Sequence, residues 1–281
     1  MPEYSAVTVF YKYQGLGNHF VVLDRRSEAT EPLAPEVVRE LCDVHCGVGA
    51  DGILTVSAEV DGTPRMHVQN ADGSDAGMCG NGLRCVARFL VDEGEAPGEI
   101  DIWVGDQLYR CVCPPEGEVS VGMGRGLRKH EELPSGSGTG VELTFEVEGT
   151  PFSGTCHFFG NPHFSVFVPQ ETDPMEQALR WGAALESHPA FSNRVNVSFS
   201  RSIEGGFETV VYERGVGITR ACGSGACAVG AAAVLRGYWE SGRPMVVSLP
   251  GGPLTITVDE SWQVTMQGGA ERVFEGRLCV R

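Results

Sequence analysis

The sequence predicts an α+β fold made of two matching halves, each a strand-rich layer around a central helix. Three observations carry that expectation. Many short apolar stretches are separated by Gly, Pro, Asn and Ser, a pattern of strands and turns with few helices between them. An offset of 143 residues recurs at Cys79-Gly80-Asn81-Gly82 and Cys222-Gly223-Ser224-Gly225, at Gly17-Asn18 and Gly160-Asn161, and at Gly94 and Gly237. After each of the two cysteines the apolar spacing is helical and amphipathic. It runs through Leu83, Val86, Ala87, Leu90 and Val91, then through Ala226, Val229, Gly230, Ala233 and Val234 at the same offset. Such halves are expected to lie about a pseudo-twofold axis, with the active site in the cleft between them.

Taken in order, the first half offers strands at TVFYKYQG, FVVLD, GILTVS and RMHVQN before its helix, and at EIDIWV, YRCVC and EVSVGMG after it. The second offers VELTFEVEG, HFFG, FSVFV, NVSFS and FETVVYE, then MVVSL and LTITV. Further helices are expected over residues 35–42 and 175–185. The Gly/Ser/Pro-rich LPSGSGTG, residues 133–140, is the expected linker or hairpin loop, with the domain boundary just ahead of it. The halves are drawn as residues 1–125, carrying Cys79, and 126–266, carrying Cys222. Residues 267–281 have no counterpart at the end of the first half and are expected to pack back onto it.

Charge and composition exclude several classes of partner. With 37 acidic residues against 21 basic ones, a net charge of −16, the chain is poorly suited to nucleic acid or an anionic membrane. No apolar run approaches the roughly 18 residues of a membrane span, and the first residues lack the basic-then-apolar pattern of a secretory leader. The ten cysteines have neither the spacing of a secreted disulfide framework nor zinc-binding CxxC pairs. Reduced thiols, a cytoplasmic location and no metal are expected.

Cys79 and Cys222 are placed for chemistry, each directly before a Gly-rich helix start. A helix N-terminus carries roughly +0.5 charge and orphan N–H groups. It is expected to lower a thiol pKa from ~8.5. The N–H groups of Gly80, Asn81, Gly223 and Ser224 can hold a carboxylate. A carboxylate so held, with a thiol on either face of its α-carbon, points to inversion: one sulfur takes the α-proton and the other delivers one. Positioned proton transfers of this kind are worth ~10²–10⁴-fold each. The helix ends stabilise the charge that develops on the carboxylate, so no cofactor is called for.

The motifs GLGNHF, GVGADG, NADGSDAGMCGNGLRC, GNPHF, RVNVSF and YERGVGITRACGSGAC, in that order, resemble the diaminopimelate epimerase family. The resemblance implies a two-domain fold of matching halves. It also implies an isomerase that epimerises LL-diaminopimelate to the meso form without a cofactor, for lysine and peptidoglycan synthesis. It makes Cys79 and Cys222 the acid/base pair, and Gly80, Asn81, Gly223 and Ser224 the carboxylate cradle. Asn18, Asn70, Asn161, Asn196, Glu213 and Arg214 match residues around the substrate, and His163 matches a histidine near the thiols, a candidate for proton traffic. The distal zwitterion of such a substrate needs a cation, an anion and orienting amides, which Arg214, Glu213 and the asparagines can supply. Two positions depart from the family: His19 follows Asn18 where an aspartate is usual, and Ile218 follows Gly217 where a glutamate is usual. The partner implied is a small amino-acid substrate, and a homodimer is an allowed assembly.

Other readings of these residues remain open. A related cofactor-independent racemase for a histidine- or proline-type substrate would share the two-thiol logic, although the proline type carries a Cys-Gly-His motif where this chain has Cys79-Gly80-Asn81. A non-catalytic protein could hold an anion between the two helix ends. Thiol redox chemistry is disfavoured because neither cysteine lies in a CxxC. Cys85 and Cys227 fall at packing positions of the helices. Cys42, Cys46, Cys111, Cys113, Cys156 and Cys279, like His19, His45, His67, His130, His157 and His188, are read as structural.

Overall fold

The computed structural model describes residues 8–27, 31–135 and 142–278. Cys279 and residues 136–140 of the expected linker lie outside them. Contacts divide the chain into two units, one comprising Met1–Val121 with Gly268–Arg281, the other Gly122–Gln267.

The first unit opens with β1 (Thr8–Gly15) and β2 (Asn18–Asp24), an antiparallel hairpin. Helix α1 (Pro35–Cys42) leads to β3 (Gly52–Ala58), parallel to β2, and β4 (Pro64–Asn70) returns antiparallel to β3 with the short β5 (Asp75–Ala76) beside it. Helix α2 (Gly80–Asp92) then carries the chain to β6 (Gly98–Val104), parallel to β4, and on to antiparallel β7 (Gln107–Cys113) and β8 (Val119–Arg125).

The second unit repeats this plan. It runs through β9 (Leu143–Val147), β10 (Thr150–Phe158), β11 (Pro162–Phe167), α3 (Pro174–Glu186), β12 (Asn196–Ile203), β13 (Gly206–Glu213) and β14 (Gly217–Ile218). Helix α4 (Gly223–Leu235), β15 (Met245–Leu249), β16 (Gly252–Val258) and β17 (Gln263–Gly268) complete it. Parallel pairs fall at the same two places, β11 with β12 and β13 with β15, and the other neighbours are antiparallel. Finally β18 (Glu271–Leu278) returns to the first unit and pairs antiparallel with β1. Its counterpart is β9, which pairs the same way with β10. The equivalent of the closing strand thus stands at the start of the second half and not at the end of the first.

Each unit folds around one helix. Helix α2 packs against β1, β2, β3, β4, β6, β7 and β18, and α4 packs against β10, β11, β12, β15 and β16. The expected amphipathic face is thus a buried cylinder. Besides Leu83, Val86, Phe89 and Leu90, α2 buries Arg84, Cys85 and Arg88. Arg88 is satisfied by the carbonyls of Pro114, Pro115 and Gly117 in the turn after β7, and burial pushes the Cys85 thiol up to about 12. Both helices end on a glycine in the left-handed region, Gly94 at φ 104° and Gly237 at φ 71°, where a side chain would be strained. Helices α1 and α3 cover the outer faces, α1 against β3 and α3 against β9, β12, β13 and β14.

The two interiors differ in character. Around α2, Tyr13 and Phe89 meet edge-to-face. Around the Gly/Ala-rich α4, the strands bring small polar groups: Thr155 and His157 on β10, His163 and Ser165 on β11, Ser198 and Ser200 on β12, all buried. Their alternate neighbours Phe152, Cys156, Phe164, Val166, Val197 and Phe199 form the core under α3 with Trp181 and Leu185.

Three expectations about local structure change. The strand expected at HFFG is the end of the longer β10. Its first residues include Pro151 and Gly154, which obscure the pattern. A Cβ at Gly154 would lie 2.7 Å from the Phe164 ring. The short β5 and β14, and β17, carried no strand signal. At the start of the expected linker Leu133 is buried, and the segment ahead of it is held down, Leu127 bridging to Phe158 and His130 stacking on the Phe158 ring at 3.6 Å.

Replacing Gly230 tests how tightly α4 is enclosed. In an open helix Gly→Ala stabilises by about 1 kcal/mol. Here the new Cβ would stand 2.6 Å from Cγ2 of Ile256, a buried β-branched side chain with little room to turn. Gly230→Ala is therefore expected to destabilise by ~1–3 kcal/mol, read as a lower urea midpoint at unchanged slope.

Candidate active site

In the first unit Cys79 is the N-cap of α2, with φ −140° and ψ 104°, and its Sγ accepts the N–H of Gly82 at 3.2 Å. The thiol fits over the first turn because Gly82 has no side chain; a Cβ there would lie 3.3 Å from Sγ and 3.0 Å from Leu54. The N–H groups of Gly80 and Asn81 precede the first helical bond, Leu83 N–H to Cys79 O, and so point out of the helix end. Asn81 Nδ2 donates to Asn18 Oδ1 at 3.1 Å, which joins the helix start to the beginning of β2. Asn70 closes the turn after β4 by donating to Ser74 Oγ at 3.0 Å, and the neighbouring Ala71 N–H donates to Asp51 O.

The second unit repeats the cap. Cys222 has φ −120° and ψ 102° at the N-cap of α4, and a Cβ at Gly225 would lie 3.2 Å from its Sγ. Gly82 and Gly225 belong to the site although sequence reasoning used them only as repeat marks. The third place of each Cys-Gly-x-Gly carried the signal.

The expected lowering of the thiol pKa is corrected at Cys222, whose thiol is raised well above its ordinary value. Burial is the largest cause and the Glu213 carboxylate the next, against the Gly225 N–H and the Ser224 hydroxyl, whose oxygen is 3.7 Å away. A helix end is worth at most about 2 kcal/mol to an anion. Desolvation of a thiolate costs more, so Cys222 is a neutral thiol here.

Glu213 and Arg214 diverge. Glu213 turns to Cys222 and also accepts the Thr219 hydroxyl. Arg214 donates from Nη1 to Glu132 Oε2 at 2.9 Å and to Asn193 O at 3.2 Å. Asn196 accepts the Arg214 N–H at 2.9 Å and donates to Pro162 O at 3.0 Å. Both ends of its amide thereby hold backbone. Ile218, on β14, packs partly buried against the core under α3. Glu132 and Thr219 were not foreseen; Glu132 lies just ahead of the expected linker, where no pattern marks it.

His163 is fully buried, with Nε2 2.6 Å from Asn161 Oδ1. An amide oxygen only accepts, so Nε2 carries the hydrogen and Nδ1 is bare. Burial, with smaller contributions from His157 and Arg214, pushes His163 down to about 3, which keeps it neutral. His157, its cross-strand neighbour, is pushed down to about 4 by burial and then Arg128. Among the described residues no group of three His, Cys, Asp or Glu is placed to hold a metal ion, and no helix is long and apolar enough to cross a membrane.

Two like-built halves, each with a cysteine capping an enclosed helix, belong here to an isomerase of the epimerase type that works without pyridoxal phosphate. The chain belongs to the diaminopimelate epimerase family, whose model matches residues 10–126 and 155–273. It is similar to diaminopimelate epimerase 1 of a Nostoc species, 40% identical over 96% of this chain and 99% of that one. It is likewise similar to the diaminopimelate epimerase of a Cyanothece species, 42% identical with the same coverage. Among solved structures its fold is like that of a hydroxyproline epimerase from Agrobacterium vitis, with a TM-score of 0.71 at 14% identity over 98% of this chain and 93% of that one. It is also like a phenazine biosynthesis protein of the PhzF family from Bacillus anthracis, at 0.69, 15%, 98% and 100%.

The two buried histidines set an acid limit. Their folded pKa values lie below the ordinary 6.5, so their stability is fully present above pH 6.5 and is lost as pH falls toward about 4 and 3. Between pH 7 and 5 each should remove about 2 kcal/mol from the unfolding free energy. His157→Gln is expected to halve that slope in urea titrations. At Cys222, Glu213→Gln removes the negative neighbour and should lower the thiol pKa. Its alkylation by iodoacetamide near pH 8 is then expected to be faster than in the parent, by about threefold or more.

Proposed function

We propose that the protein converts LL-diaminopimelate to the meso form, with Cys79 and Cys222 as the two proton-carrying groups for one α-carbon. The observation that carries this is the doubled cap: a thiol above a helix start with glycine three residues on, in each half of a diaminopimelate epimerase family member. The N–H groups of Gly80, Asn81, Gly223 and Ser224 hold the reacting carboxylate and stabilise the charge that develops on it. Cys222, kept neutral, is ready to donate; when it must accept, Glu213 is the carboxylate beside it to take the proton.

Arg214 receives the distal carboxylate, with Asn18, Asn70 and Asn161 orienting that end. Asn196 serves by holding the Arg214 backbone. His163 acts as a neutral donor that fixes Asn161. The reading places the protein in the cytoplasm, in lysine and peptidoglycan precursor synthesis, with an amino-acid substrate, no nucleic-acid or membrane partner, and a homodimer as the assembly.

The test follows deuterium from solvent into the α-carbon of LL-diaminopimelate, with histidine, lysine and proline in parallel under reducing conditions. Exchange and inversion of diaminopimelate alone are expected. Cys79→Ala and Cys222→Ala should each lower the rate by about a thousandfold, within the range of one positioned acid–base group. Turnover of another amino acid with diaminopimelate inert would move the function to a racemase. No exchange with any of them would end the catalytic reading.

A further inference from the structure

A polar chain runs through the first unit behind the start of α2. Arg84, completely buried on α2, donates from Nε to Gly269 O at 3.3 Å and from Nη2 to Asn81 Oδ1 at 3.0 Å. Asn81 Nδ2 passes to Asn18 Oδ1 at 3.1 Å, and Asn18 Nδ2 to Asp51 Oδ2 at 2.7 Å. The same Oδ2 accepts the His19 N–H at 2.9 Å. Beyond it, Lys12 Nζ lies 2.8 Å from His19 Nδ1 and also donates to Gly49 O.

We propose that Arg84 and Asp51 are positioning residues that fix which way the Asn81 and Asn18 amides face, with Lys12 and His19 holding Asp51. A carboxamide has two orientations of nearly equal shape, and which one it adopts decides whether it meets a ligand with N–H or with oxygen. Here the ends of the chain are single-valued. A guanidinium has no acceptor, so it takes the oxygen of Asn81; a carboxylate has no donor, so it takes the N–H of Asn18. Turning either amide would set donor against donor and acceptor against acceptor.

The far end follows the same logic. The lysine ammonium can only donate, so His19 Nδ1 accepts and the ring hydrogen sits on Nε2, 3.8 Å from Asp51 Oδ1. The histidine that departs from the family's usual aspartate thus joins the same chain. Each amide oxygen is turned inward, and the group that Asn18 extends outward is its second N–H, suited to a carboxylate rather than an ammonium. That consequence rests on the proposed function, in which Asn18 and Asn81 border the substrate.

The experiment is a cycle across the two ends of the chain. Gln at position 84 and Asn at position 51 each replace a single-valued end with a group that offers either face. Arg84→Gln and Asp51→Asn should each raise KM for diaminopimelate about tenfold with kcat within about threefold. The double variant should also stand near tenfold, because the chain is already broken. Arg84→Lys, which stays donor-only, should lie closer to the parent than Arg84→Gln at a comparable melting temperature. Additive effects near a hundredfold, or an unchanged KM in Asp51→Asn, would overturn the proposal.

A readout free of activity separates this from failure of the substrate reading and from misfolding of the buried variants. Asp51 is half exposed, so Asp51→Asn is expected to fold. In ¹⁵N-labelled protein the Asn18 and Asn81 side-chain hydrogens should lose protection from solvent exchange in that variant. Retained protection would overturn the proposal whether or not the parent turns over diaminopimelate.

Discussion

The structure depends on enclosing a whole helix. Neither α2 nor α4 has a solvent face along most of its length, so each must bring its own satisfaction for whatever it buries. Sides of the cylinder are closed by strands and the C-terminal end by a glycine turn. The N-terminus is the one place where backbone N–H groups still point outward, and it is there that each half sets its cysteine. The cysteine and the outward N–H groups are therefore placed by the backbone, and the rest of the fold holds that end in place.

Burial and helix polarity oppose each other at this end. The macrodipole favours a thiolate, yet Cys222 is neutral because an enclosed sulfur beside a carboxylate loses more by ionising than the helix end returns. At His163 and His157 nothing opposes burial, and positive neighbours add to it, so both stay neutral in the interior around α4. Under the proposed function Cys222 therefore starts as a neutral donor, and an ionised thiolate there has to be formed against its burial.

Much of this was legible in the sequence because duplication prints itself in register. The 143-residue offset marked both caps and both terminal glycines, and alternating Val, Ile and Phe marked most strands. What escaped was encoded in three dimensions only. Glu132 reaches Arg214 over 82 positions, which no local pattern announces, and Asp51 and Arg84 lie in marked motifs whose spacing does not tell that they meet Asn18 and Gly269. The full enclosure of α2 was hidden because Arg84 and Arg88 look like a polar face until their carbonyl partners are known. Strand β10 was shortened because Pro151 and Gly154 are turn residues in isolation, and only the close approach of the Ser165 carbonyl and the Phe164 ring explains the glycine.

The position of β18 bears on how the chain is made. The second unit is continuous in chain order, whereas β1 gains its outer neighbour only when Glu271–Leu278 has been synthesised, with Thr8 meeting Leu278. At about 5–20 residues per second, translation of the intervening unit leaves the first sheet with an open edge for on the order of ten seconds or more. An open edge is a template for unwanted strand pairing. The first unit is thus completed only after the second has been made, and Arg272, which joins Tyr13 and Glu93 from the returning strand, acts as the clasp on a belt that closes once the second unit has been translated.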